Sequence, residues 1–148
     1  MKATMLLAIL ALCLFLVRSS YADVALGPNP IIAGFSVSCY GANTIVVDGL
    51  NDVAESAPGA ILLNSILLES FPPVVQLFVY AHECGHQVVG LNEFAADCWA
   101  VKVGRNQGWL TMDGISTVEA GLANSPGDWT HMPGPERIQA MTKCYTTP

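Results

Sequence analysis

The stretch VYAHECGHQVVGLNEFAADCWA, Val79 to Ala100, decides how this chain is read. It gathers His82, Glu83, His86, Glu93 and Asp97 in a sequence of which only 12% is charged. Leu77, Phe78, Val79, Val88 and Val89 set the first three among apolar neighbours, so the segment predicts a buried helix. A free charge inside such a helix is costly, and Glu83 therefore calls for a reason. His82 and His86 stand four residues apart, which puts their rings on one face, a single turn apart. Two imidazoles so placed can hold one zinc ion. Glu83 lies about 100° round the helix from His82, where it can flank the metal without binding it and take a proton from its water. Zinc lowers the pKa of that water to about 7. Two core histidines on a helix are the plainer alternative for the same spacing.

Working outward, Pro72-Pro73 suit a helix start and Gly90 suits the residue just past its end, so one helix is expected from Phe71 to Val89. Asn92 is a good N-cap for a second, Glu93 to about Val103, closed by Gly104. A reversal at Gly90 would bring the first turn of that helix back towards the histidines. A catalytic zinc takes three protein ligands, and Glu93, Asp97 and His131 are the candidates for the third. Glu93 is assigned to the metal. Asp97, one turn deeper, would accept a hydrogen bond from the far nitrogen of a ligand histidine and fix its tautomer. The alternatives are a first-turn acid favouring the helix dipole for Glu93 and a solvated face for Asp97. Further helices are expected over Ile115 to Ala123 and from Pro135 to about Cys144. Upstream, Ile31 to Val37 and Thr44 to Val47 read as strands. Ala60 to Asn64 (AILLN) reads as a third, either against the core or at a sheet edge open to a peptide. The fold class is α+β, with short N-terminal strands followed by a helical core.

At 148 residues one domain is expected. Lys2, the apolar run Ala3 to Val17 and the small residues Ser20 and Ala22 predict a signal peptide over 1–22 and a mature domain over 23–148. The run is shorter than the about 20 residues of a membrane span, though an uncleaved anchor is the alternative. Cleavage would remove Lys2 and Arg18, two of the six basic residues, and none of the twelve acids, leaving a formal charge of −8. That balance argues against nucleic acid or an anionic membrane surface as partner. Cys39, Cys84, Cys98 and Cys144 would remain, with no Cys-x-x-Cys pair among them. They read as two disulfides of a secreted or periplasmic protein, with three connectivities open.

HECGH followed by EFAAD resembles the His-Glu-x-x-His and Glu-x-x-Ala-Asp motifs of the HtpX-type and CAAX-prenyl endopeptidases, which are gluzincin metallopeptidases. The resemblance implies a zincin-like core with two active-site helices, Zn2+ held by His82, His86 and Glu93, and Glu83 as general base. It also implies a peptide or protein substrate. THMPGPERI, Thr130 to Ile138, is similar to that family's Thr-His-Pro…Arg-Ile segment, whose His and Arg steady the oxyanion of the tetrahedral intermediate; the matching residues are His131 and Arg137. All three histidines of the chain thus fall on motif positions. Only six residues, Gln87 to Asn92, separate the two zinc motifs, where the family carries a long insert, and Met132 replaces the expected proline. In metzincin spacing the third ligand would fall at Asn92, a poor one. The expected activity is that of a zinc-dependent endopeptidase. The alternative is an exported zinc-binding or degenerate, non-catalytic module.

Overall fold

Downstream of β1 (Val24–Gly27), the apolar stretch 31–37 does not run as the one strand its composition predicts. In the computed structural model, which describes residues 23–127 and 131–147, Ala33 and Gly34 take positive φ and fold it into a hairpin of β2 (Ile31–Ile32) and β3 (Phe35–Ser36). β4 (Asn43–Val46), β5 (Ala54–Ala57) and β6 (Ala60–Leu63) join β1 in a four-stranded sheet ordered β1-β4-β6-β5. β4 and β6 are parallel, and the outer pairings are antiparallel. The reading of AILLN as a sheet edge open to a peptide is corrected here. Leu62 pairs with Ile45 on one side and Glu55 on the other, so β6 is an interior strand with Ile61 and Leu63 buried. The edge belongs to β5, whose AESA sequence carries no β-branched or aromatic residue and so gave no strand signal. Asn64 does not continue β6 either. Its Oδ1 accepts from the Leu67 N–H at 3.0 Å and caps α1 (Ser65–Glu69), a short helix without apolar periodicity of its own.

α2 (Pro73–Val89) lies against the sheet and buries Leu77, Phe78, Tyr80 and Ala81. The Tyr80 hydroxyl meets Thr44 Oγ1 at 2.7 Å, which satisfies it inside the core. α3 (Glu93–Gln107) starts at the expected cap, with Asn92 Oδ1 accepting from the Ala95 N–H at 3.0 Å. It passes through Gly104, expected as its end, and stops at Gly108 in the left-handed conformation. Gly104 serves packing instead: a Cβ there would stand 2.6 Å from Trp109 Cη2, where the chain folds back on the helix. α4 (Met112–Leu122) begins nearly a turn before Ile115 because Thr111 caps it, accepting from the Gly114 N–H. α5 (Gly134–Thr146) completes the set, a little longer than expected.

The cysteines pair as Cys39–Cys84, tying α2 to the segment before β4, and Cys98–Cys144, tying α3 to α5. Two such pairs fit an oxidising compartment. No helix among the described residues is long and apolar enough to cross a membrane. The expected signal peptide, 1–22, lies outside the described residues.

Candidate metal centre

The link of six residues between the two motifs is short enough to matter, and two contacts make it sufficient. Gly90 closes α2, its N–H donating to the His86 carbonyl at 3.1 Å. Gly85 then lets α3 press against α2: a Cβ at that position would stand 2.9 Å from Ala96 Cα and 3.0 Å from its carbonyl oxygen. The first turn of α3 thereby reaches the histidines. His82 Nε2 and His86 Nε2 are 3.1 Å apart. Glu93 Oε2 lies 3.2 Å from His82 Nε2, and its Oε1 lies 3.2 Å from His86 Nε2. In a tetrahedral site with bonds of about 2.0–2.1 Å, neighbouring ligand atoms stand about 3.3 Å apart. The three contacts, which use both carboxylate oxygens of Glu93, have the spacing of neighbouring donors in such a coordination shell. Glu93 Oε2 is buried and has no hydrogen-bond partner among the described residues. A buried acceptor left so costs about 1–3 kcal/mol, and a cation between these atoms would satisfy it. His82, His86 and Glu93 can hold a metal ion; a second, overlapping group is His82, Glu83 and His131.

Both rings are held in the tautomer that turns Nε2 inward. His82 Nδ1 lies 2.8 Å from Asp97 Oδ1, and His86 Nδ1 lies 2.7 Å from the Gly90 carbonyl oxygen. With each Nδ1–H donated outward, each Nε2 presents a lone pair to the centre. Asp97 is fully buried and takes two further bonds, from Arg137 Nε at 2.8 Å and Nη2 at 2.6 Å. Burial pushes the Asp97 carboxyl up, but Arg137 and His82 outweigh it and hold it below the usual carboxylate range. For Arg137 burial acts downward, and Asp97 more than offsets it. Arg137 Nη2 is also 3.5 Å from His82 Nδ1. The guanidinium is thus turned onto Asp97, behind the ligand ring.

Glu83 is buried beside the triangle. Burial, with the charges of Glu93 and Asp52, pushes its carboxyl up to about 7, against the pull of His82 and of the Ser56 N–H. Burial lowers His82, but the neighbouring carboxylates of Asp97 and Glu93 outweigh it and raise it to about 9. Glu93 is raised by burial and lowered further by His82, His131 and His86, for a net fall. His131 stands at the rim, its Nε2 3.8 Å from Glu93 Oε2 and its ring centroid 5.9 Å from that of His82. The cleft has two arms. One runs between α2 and α4; the other, lined by Ala54, Glu55, Ser56 and Leu91, runs along the edge strand β5.

No family model, curated protein or solved structure matches this chain. What the site can do is read from its own atoms. His82, Glu83, His86, Glu93, Asp97, His131 and Arg137, distant by as much as 55 positions, meet in one neighbourhood, while the four cysteines among the described residues pair elsewhere. Two contributors escaped the sequence. The Gly90 carbonyl clamps His86, although Gly90 was expected only as a turn. Gln87 bolts α2 to β5: its side-chain amide donates to Ser56 Oγ and to the Ala57 carbonyl, and its Oε1 accepts from the Gly59 N–H. A signal existed for it, since Gln87 follows Glu83 by four and so shares its face.

Proposed function

We propose that this chain is a zinc-dependent endopeptidase that hydrolyses peptide bonds. One observation carries the reading: the triangle of His82, His86 and Glu93 atoms has Glu83 buried beside it but outside it. Imidazole and carboxylate donors at tetrahedral spacing suit zinc better than calcium or magnesium, which take oxygen ligands. Three protein ligands are the complement of a catalytic zinc, whereas a structural one is closed by four, often cysteines. The metal, when bound, supplies a Lewis acid for the scissile carbonyl and an acidified water. Glu83, buried beside the candidate ligands, takes the proton of the attacking water and hands it to the leaving amine. His131, at the rim, is the group placed to steady the oxyanion. Arg137 acts through Asp97 as a positioning residue for His82. The substrate is a peptide or protein lying along β5, in a secreted or periplasmic setting.

The test is metal analysis of the purified mature chain beside a cleavage screen on casein and a peptide library, with and without chelator. The expected result is one zinc per chain and cleavage that disappears on chelation and returns with zinc. Glu83→Gln should keep the zinc and lower turnover by about 10²- to 10⁴-fold. Full zinc occupancy with no cleavage by the wild type would sink the reading. It would favour an exported zinc-binding module, for which the nearness of His131 to Glu93 and its membership of the second ligand group speak. His131→Ala separates the two: a module closed by His131 loses zinc affinity, while a peptidase keeps its zinc and loses turnover.

A further inference from the structure

The arm of the cleft between α2 and α4 takes no part in the mechanism above, and its chemistry differs from the centre it opens onto. It is a cavity of about 300 Å³ walled by Phe71, Val75, Phe78, Val118 and Leu122, with Gly121 at its side. Val75, Phe78 and Val118 are buried, and Phe71 stands half-open to solvent. Polar groups appear at its inner end, where His82, Glu83, His131 and Arg137 face it, and at its rim, where Asp52 sits. Arg137 is already committed to Asp97. A charged side chain of either sign would give up its hydration along the apolar walls, and an acidic one would also meet Asp52 and Glu83. An uncharged apolar side chain would lose nothing and bury its surface.

We infer that this cavity is the specificity pocket of the proposed peptidase, taking one bulky apolar side chain, aliphatic or aromatic, next to the bond that is cut. The inference rests on the peptidase reading for its position relative to that bond. Its occupant follows from the walls and from the direct opening onto Glu83 and His131.

Gly121 provides the test. It lies near the end of α4 among the residues that line the cavity, and a Cβ added there would meet nothing within 4 Å, so a larger side chain is accommodated without displacing the fold. Two measurements on the zinc-loaded mature chain separate the outcomes. First, cleavage sites in a peptide library, mapped by mass spectrometry, should be flanked on one side by Leu, Phe, Met or Ile over Ala by at least about tenfold. Gly121→Leu should cut that ratio about tenfold or more, with Gly121→Ala in between. Second, zinc-binding hydroxamates bearing a methyl, isobutyl or benzyl group are titrated calorimetrically. The larger groups should bind about tenfold or more tighter than methyl, and Gly121→Leu should erase the gain. Cleavage with no apolar preference, or a hydroxamate gain that survives Gly121→Leu, overturns the pocket and leaves the peptidase reading standing. A size-dependent gain that Gly121→Leu erases, in a protein that cleaves nothing, upholds the pocket and sinks the peptidase. Failure of every hydroxamate to bind overturns both.

Discussion

At the scale of single residues, Asp97 is the hinge of the centre, because it serves two partners with two oxygens. It holds His82 by Nδ1 and Arg137 by Nε and Nη2, all inside the protein. Asp97→Asn keeps the shape and an acceptor but removes the charge that a buried guanidinium requires. Losing one partner of a buried pair costs about 3–5 kcal/mol, readable by denaturant unfolding. Loss of the carboxylate behind a ligand ring lowers metal affinity about 10- to 100-fold, readable by competition with a chromogenic chelator. Wild-type affinity in this variant would refute the orienting role. His82, Glu83 and His86 were legible in the sequence because one helix fixes their relations. Asp97 was legible through its four-residue step from Glu93. The bond from Arg137 to Asp97 was not, since it depends on where α5 crosses α3, and no local spacing encodes that.

At the scale of elements, the approach of α2 to α3 sets the ligand triangle. Gly85→Ala would put a methyl 2.9 Å from backbone of α3, which cannot move aside as a side-chain tip could. Overpacking of this kind costs about 1–3 kcal/mol. It should also withdraw Glu93 from the histidines, so zinc affinity and melting temperature are expected to fall together. A variant that melts lower yet binds zinc like the wild type would show that the helices do not set the site. The sheet carries a second expectation. A bound peptide hydroxamate should slow amide exchange in Ala54–Ala57, the edge strand, and leave Ile61–Leu63 unchanged, because β6 is paired on both sides. Protection spread elsewhere would remove β5 as the substrate's track. Four of the five helices were readable from period and caps to within a turn at most ends, and α1 was not, since five residues carry no period. β5 and the hairpin of β2 and β3 were not: AESA is recruited by its pairing with β6, and the apolar run at 31–37 hides the bend at Ala33 and Gly34.

At the scale of the molecule, the two disulfides divide the labour. Cys39–Cys84 ties α2 to the segment before β4, and Cys98–Cys144 fixes the helix of Glu93 and Asp97 to the helix of Arg137. Their sequence separations, 45 and 46, are long enough for each to restrict the unfolded chain substantially. Replacing Cys98 and Cys144 together by Ser should cost about 2–4 kcal/mol in denaturant unfolding. It should also weaken metal binding, through the loosened contact of α5 with Asp97. Stability lost with zinc affinity intact would confine that bridge to a general role. The α+β class was open to sequence reading because strands and helices follow one another in blocks. The cysteine pairing was not, since it follows from tertiary proximity alone.

Gly90 turns the chain with its backbone and steers His86 with its carbonyl, and Glu93 follows three positions later. Connectivity and coordination are therefore the same piece of chain, with no slack between them. A centre assembled from distant loops can drift in length over time and re-anneal around its ion. Here a single inserted residue would at once release the clamp on one ring and retract the third ligand. A change of length in that one turn should therefore cost the site more than most side-chain replacements elsewhere in the chain.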